Sequence, residues 1–495
     1  MFGTKSIVNT LSIAVFNRGQ YLSEKGKKWY TSPVKYFHPP KIFLKLSLGV
    51  VLLVISGCAI QERLYYAAPT LIPNTRMQMK TPGFWISRHP FPDRVILSSR
   101  EIKMLNAHIA DELKLTSDVT KIGPVYSGKE LIGELEESLD FLRQEKLYQR
   151  NGRRADRKFY RRIEEMTSLG AIKGESKVGY GLIIRYTDQK ILPTQEGLYA
   201  KSGDFDFDEL QNSSLDVGTP LVILHTSLDG RWFYVIGPSS RGWVKAENVA
   251  LCNQEELSDY LNRGNFVVVT NSKADIFLNP LLTEYYDYTR MGMRFPAVKK
   301  QGDTASVEVI IPDRLPDGGL SKRAAYIKRE DVSFGYLPYT PRIIMEQGFK
   351  LLNAPYGWGG MYGEQDCSAF LQEIFATVGI SLPRNSAAQA KVGVLVKEFD
   401  QGSSEEEKMA VLSREAVGGV TTLYLKGHIM LFLGMSDGRP YALHAAWAYR
   451  QQSWFEKDYV RLINRVAVTD LSLSKGSQRG SLLERLLTVR KVDKI

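Results

Sequence analysis

The spacing of apolar positions changes twice along the chain. Ile102, Leu105, Ile109 and Leu113 recur at helical intervals over 98–115, and 129–147 reads as another helix. The preceding stretch 81–93, TPGFWISRHPFPD, has three prolines and no clean period, so it is expected as an extended or irregular strap. The mixed-charge run 143–165 reads as a solvated helix face. From about 177 to 252 the period shortens. GLIIRY, TPLVILHTS, RWFYVIG and RGWVKAENVAL alternate between glycine turns, and Leu228-Asp229-Gly230 is a hairpin signal. These runs predict a small β-barrel with Trp232 and Trp243 in its core. The span 265–334 repeats the barrel signal in architecture, without visible sequence repetition. Helices return at 341–352 and after Cys367, followed by strand-like GHIMLFLG and YALHAAWAY. The segment 398–413 reads as a surface insertion, and weakly amphipathic 482–489 is expected to cover the last sheet.

The chemistry concentrates in 354–389. Cys367 precedes Phe370, Leu371, Ile374, Phe375 and Val378, which share one helix face. Asp366 is a good N-cap type, which puts Cys367 in the first turn, where the helix end favours a thiolate. Gly357-Trp358-Gly359-Gly360 can bring backbone close to a ligand. A carboxylate beside the nucleophile opposes thiolate formation. Asp366 is therefore either a plain cap or a residue whose charge a substrate ammonium offsets.

A nucleophilic thiol needs a base. Only two histidines follow Cys367, namely His428 and His444, on two strands joined by the turn-rich 435–440. Side chains alternate faces along a strand. Pairing His428 with either His444 or Ala446 puts both imidazoles on one face, whereas a tight Asp437-Gly438 turn alone would separate them. An odd loop or a bulge is therefore expected. His89 and His108 sit in no such constellation and read as structural.

YGWGG, DCSAF, LPRNSAAQ, GHIMLFLG and the later histidine strand resemble, in this order, the NlpC family of papain-like cell-wall peptidases. The likeness runs over about 341–467 and implies a Cys–His–His triad of Cys367, His428 and His444. It implies a cysteine endopeptidase that cleaves the γ-D-glutamyl-diamino acid bond of peptidoglycan stem peptides, on peptides with a free N-terminal L-Ala. It assigns substrate binding to Tyr356, Asp366, Ser368 and Ser386. TPGFWISRHP and PVYSG resemble the amino-terminal domain of part of the family, which implies a clip around later domains. The Gly242-Trp243-Val244 strand resembles bacterial SH3-like domains, the first of which narrows the cleft in such proteins. Asp206, Asp208 and Glu209 of the acidic loop 202–211 could then face a substrate amine, or simply be solvated. Two rivals are another papain-like wall amidase and a non-enzymatic SH3-like wall-binding lipoprotein.

The expected fold class is therefore α+β and multidomain. It comprises a mainly helical domain at 76–170, SH3-like barrels at 171–255 and 256–337, and a papain-like domain at 338–495. Ahead of them, Lys41 and Lys45 precede an apolar run at 46–55 and then Ser56-Gly57-Cys58. The run is short for a membrane span. Small residues before a cysteine resemble a bacterial lipobox, which implies removal of 1–57, lipidation of Cys58 and a tether over 58–75. Ala59 after that cysteine implies the outer membrane of a Gram-negative bacterium, with the protein in the periplasm. The formal net charge of +11 suits anionic surfaces, although part of it lies in the excised segment. With Cys58 and Cys367 assigned, Cys252 is left without a partner and no disulfide is expected. No metal, phosphate-cradling or nucleic-acid motif is present, so neither cofactor nor nucleic acid is expected.

Overall fold

The computed structural model describes residues 65–298, 304–400, 402–452 and 458–494. The expected signal region and Cys58 lie outside them. Among the described residues no helix is long and apolar enough to cross a membrane.

The fold is α+β and multidomain. The helical portion is led by Gly128–Gln144 and Arg157–Thr167, capped by Ser127 and Asp156. The helix predicted over 98–115 starts at a capping box between Ser98 and Glu101, runs Ser99–Ala107, and widens into a π-turn at His108–Glu112. The expected irregular strap over 81–93 holds a short helix, Pro82–Ile86. Proline at its first turn is pre-set for a helix. Phe84, Trp85 and Ile86 are buried, and Trp85 packs on Tyr441 with ring centroids 5.3 Å apart. Burial of three consecutive large side chains overrides the period that the prolines obscured.

Residues 179–252 form a seven-stranded sheet with Trp243 fully buried and Trp232 nearly so. Its central hairpin joins Pro220–Thr226 to Trp232–Ile236, with Gly230 at positive φ in the turn. A second set of strands, Phe266–Val269 to Val332–Phe334, makes a three- and a four-stranded sheet around Phe295, Val309 and Ile327.

The last sheet has seven strands. In spatial order they are Tyr65–Ala67, Tyr459–Asp470, Arg439–Gln451, His428–Ser436, Thr421–Leu425, Thr488–Lys491 and Val394–Glu398. Helices Pro341–Lys350 and Cys367–Ala376 share one core with Ile429, Leu431, Leu443 and Val466. Met430, Phe432, Ala442 and Leu486 line a second core. With both faces covered, the strands read as continuous apolar runs rather than alternating ones.

The tail covers the sheet as expected and then joins it. Leu482, Leu483 and Leu486 pack in the second core against Met430, Phe432 and Ala442, and Thr488–Lys491 is paired into the sheet between Thr421–Leu425 and Val394–Glu398. The described part of the expected tether is not free chain. Tyr65–Ala67 adds a parallel edge strand to Tyr459–Asp470, and Ile72 is buried. The insertion over 398–413 follows strand Val394–Glu398 and contains helix Glu405–Glu415, capped by Ser404.

Candidate active site

Cys367 is the first residue of its helix and is only 3% exposed. Asp366 caps that helix. Burial pushes the thiol up to about 12, and the Asp366 charge adds to the rise. The Ile429 and Ser368 backbone N–H groups and the Arg384 charge work against it. The expected stabilised thiolate is therefore absent in the resting site. Desolvation outweighs the helix end.

The two histidines meet through a tight turn combined with a bulge. Asp437 and Gly438 both have positive φ, and Ser436 pairs with Arg439 across a two-residue turn. That turn alone would put the imidazoles on opposite faces. The register shifts between Phe432 and Gly434, after which Leu431 pairs with Leu443. Continued to the strand start, this register sets His428 opposite Ala446 and returns both rings to one face. His428 Nε2 lies 2.7 Å from His444 Nδ1. His444 Nε2 lies 2.8 Å from Thr469 Oγ1. Burial lowers His444 to about 3. Burial, then the charges of His444, Arg485 and Arg479, hold His428 well below the usual imidazole range. Both rings are neutral near pH 7. Thr469 carries no signal in the sequence; only strand pairing brings it to His444.

Asp366 is buried, 7% exposed, and heavily bonded. Its Oδ1 accepts from the Ser368 and Ala369 amides, the Ser368 hydroxyl and Arg384 Nη1. Its Oδ2 accepts from the Gly359 amide at 3.2 Å and from Arg384 Nη2 at 2.7 Å. Burial would raise this carboxyl, but the Arg384 charge and these donors hold it below its ordinary range. A carboxylate offers about four lone-pair sites. The geometry leaves the expected substrate ammonium none unused, and the chain supplies the offsetting charge itself. Arg384 stands inside LPRNSAAQ, where the cation next to the serine could have been weighed against Asp366.

Of the other expected contacts, Ser368 Oγ is taken up in the Asp366–Arg384 network. Tyr356 is half-buried near Cys367, Asp366 and Arg384, and burial first, then the two acids, raises its phenol. Ser386 starts the short helix Ser386–Gln389 and is buried. The acidic loop divides. Asp208 is buried, pairs with Lys190 at 2.7 Å and accepts from the Leu198 and Leu210 amides, so it braces the loop rather than facing a substrate. Asp206 is exposed, and Glu209 is half-buried.

The barrel touches the site directly. Gly359 and Gly360 have positive φ and approach the Gln211–Leu215 strand so closely that a Cβ on Gly360 would meet Ser214 Oγ at 2.1 Å. Gln211 Nε2 donates to the Gly359 carbonyl, and Arg384 Nε donates to Ser213 Oγ. Phe207 fits edge-on against Trp358 and Trp447, with centroids 5.2 and 4.9 Å apart. A second bulge between Ala446 and Ala448 places Trp447 there.

Residues 353–453 match the family model of the NlpC/P60 family, and 198–245 match an SH3 domain of the SH3b1 type. A γ-D-glutamyl-L-lysine dipeptidyl-peptidase of Bacillus cereus is 30% identical over 31% of this chain and 44% of its own length. Its Bacillus subtilis counterpart is 26% identical over 34% of this chain and 55% of its own. The chain thus spans about half the length of these relatives. A solved NlpC/P60 endopeptidase from Photobacterium damselae subsp. piscicida shares the fold at TM-score 0.70 and 18% identity, over 86% of this chain and 99% of its own. The strands of the first barrel and the last sheet, with its buried cysteine at a helix start, thus agree with these two matches: the chain carries a region that matches the NlpC/P60 family behind one that matches an SH3 domain of the SH3b1 type.

Proposed function

We propose that this protein is a cysteine endopeptidase that hydrolyses the γ-D-glutamyl-diamino acid bond of peptidoglycan stem peptides. The observation that carries the chemistry is the chain Thr469–His444–His428 ending beside the Cys367 helix. His444 Nε2–H donates to Thr469 Oγ1, and His444 Nδ1 accepts from His428 Nε2–H. His428 Nδ1 is then the bare nitrogen that takes the thiol proton as Cys367 attacks the amide carbonyl. The thiol and the imidazole both start neutral, so proton transfer accompanies attack. The Ser368 and Ala369 amides are engaged by Asp366, so the Cys367 amide is the one at the helix start that meets the oxyanion. His428 then gives its proton to the leaving amine and activates the water that releases the acyl group.

The bond assignment is supported by the likeness to the two Bacillus γ-D-glutamyl-L-lysine dipeptidyl-peptidases. A dipeptidyl-peptidase releases a dipeptide from a chain end, which fits substrates with a free L-Ala. The barrel-borne Phe207 against Trp358 and Trp447 supports a closed end to the cleft. Tyr356 and Ser386 enter this reading as substrate contacts through the family likeness. Anchoring through Cys58 to the outer membrane, facing the periplasm, belongs to the same reading and rests on the residue pattern at 46–59.

Mass spectrometry of products from defined muropeptides tests it. Release of L-Ala-D-Glu and a peptide beginning with the diamino acid is expected. Separation of L-Ala from the glycan would make the protein a wall amidase. Intact substrate after long incubation would favour a binding module.

A further inference from the structure

A buried ion pair at the cap of the nucleophile's helix is tied to the first barrel by a hydrogen bond. Arg384 is 9% exposed and makes a two-pronged contact with Asp366. Its Nη1 also donates to Ser368 Oγ at 2.9 Å, and its Nε to Ser213 Oγ of the barrel at 3.0 Å. Every nitrogen of the guanidinium is thus committed, and the group spans two parts of the fold.

We infer that Arg384 is a positioning residue that neutralises Asp366 beside the nucleophile, and that Ser213 of the first barrel holds it in place. A bare carboxylate one residue from Cys367 would oppose every step that builds negative charge on sulfur. Paired with a planar guanidinium, the carboxylate keeps its capping bonds to Ser368 and Ala369, while its field at the thiol is largely cancelled. The same pair fixes the first turn of the helix, and with it the direction of the thiol. The barrel then takes part in the chemistry. Its strand Gln211–Leu215 orients the arginine through Ser213 and the Gly359 loop through Gln211. This role deepens the peptidase reading, although it concerns the reactivity of the thiol and not the identity of the substrate.

The test reads the thiol without a substrate. The rate at which iodoacetamide alkylates Cys367 is measured at pH 8 in the full chain, with the Cys367 peptide quantified by mass spectrometry. Arg384→Gln is expected to slow it about ten-fold or more. Ser213→Ala should slow it by less, and Arg384→Lys should keep it closer to the parent. Asp366→Asn combined with Arg384→Gln removes both charges and should bring the rate back towards the parent. Should Arg384→Gln fail to fold, the lysine variant and the double variant decide. An unchanged rate in a folded Arg384→Gln protein, or a double variant no nearer the parent than Arg384→Gln, overturns the inference. The rate on stem peptides is measured separately. A normal alkylation response with no peptide cleavage would remove the peptidase reading and leave this one standing.

Discussion

Glu373 lies 3.7 Å from Arg290 Nη1, yet neither of its carboxylate oxygens has a hydrogen-bond partner among the described residues. Arg290, from the second barrel, gives its best contacts to Asp216 of the first. Glu373 sits on the Cys367 helix, so three parts of the fold meet at one buried cation. Burial raises Glu373 to about 8, ahead of the opposing charges of Arg290 and Lys273 and the reinforcing ones of Asp216 and Glu364.

The sign of the pH effect follows. The folded protein holds a proton on Glu373 that the unfolded chain, with an ordinary value near 4.5, gives up earlier. Stability from this group is complete below that value and is lost as pH rises through about 8. Within the window, each pH unit removes up to ~1.4 kcal/mol. Glu373→Gln carries a neutral side chain at every pH, so its melting temperature should fall less between pH 5 and pH 8 than the parent's. Parallel melting profiles for the two proteins would show that Glu373 is ionised in the folded state.

Cys367→Ser is expected to abolish turnover with an unchanged melting temperature, because the swap is nearly isosteric. Cys252→Ser should leave activity intact. Cys252 ends the barrel strand Val249–Cys252, where its charged neighbours are Glu256 and Lys322 rather than an imidazole base. Residual activity in the Cys367 variant, or its loss in the Cys252 variant, would reassign the thiol.

Most of the site was readable because its signals are local. The acid and cysteine at a helix start, and two histidines on neighbouring strands, can be placed by spacing alone. Even the need for a bulge followed from parity, although its position at Leu433 did not. Arg384 and Thr469 escaped for a different reason. Their importance lies in what they touch across 18 and 25 residues of chain, and no period encodes that. Asp208 misled because an acidic loop reads as solvated or functional, whereas its carboxylate is consumed by Lys190. Pro82–Ile86 was misread as irregular because tertiary burial sets its conformation, and the two-sided pairing of Thr488–Lys491, just after the segment that covers the sheet, has no local signal.

Thr469→Val tests the far end of the histidine chain. Thr469 is fully buried, and the swap keeps its shape while removing the acceptor for His444 Nε2. Leaving a buried donor unpaired costs about 1–3 kcal/mol. Part of that loss should fall on the orientation of His428, so kcat should drop roughly ten-fold with little change in KM. Because His428 is held well below the usual imidazole range, the acid limb of the parent's pH–rate profile should lie below pH 6.5. Unaltered kcat in Thr469→Val would mean that His444 needs no outer partner.

The last prediction concerns what the barrel excludes. Phe207 is carried by the acidic loop, and its ring meets Trp358 from the glycine-rich turn and Trp447 from the histidine strand. Trp358 is further tied by its indole N–H to the Asp208 carbonyl at 3.0 Å. The three rings therefore form one wall across two parts of the fold, next to the Asp366 cap and to Ala446 opposite His428. Asp366 has no free lone pair, so a preference for an unblocked L-Ala cannot rest on an ammonium contact with that carboxylate alone. A wall that leaves no room for the lactyl and glycan of an attached stem would give the same preference by shape. Each edge-on ring contact contributes about 0.5–1.5 kcal/mol beyond burial. Phe207→Ala removes two of them and opens the wall from the barrel side. The variant should lose some activity on L-Ala-γ-D-Glu-diaminopimelate and gain, relative to it, on the same peptide with an acyl cap on the alanine. The quantity to measure is the ratio of kcat/KM for the free and capped peptides, which should fall at least several-fold. Asp366→Asn serves as the control, since it should slow both peptides through the helix cap and leave the ratio nearly constant. An unchanged ratio in Phe207→Ala, with a shifted one in Asp366→Asn, would return the selectivity to charge and show that the aromatic wall only braces the barrel.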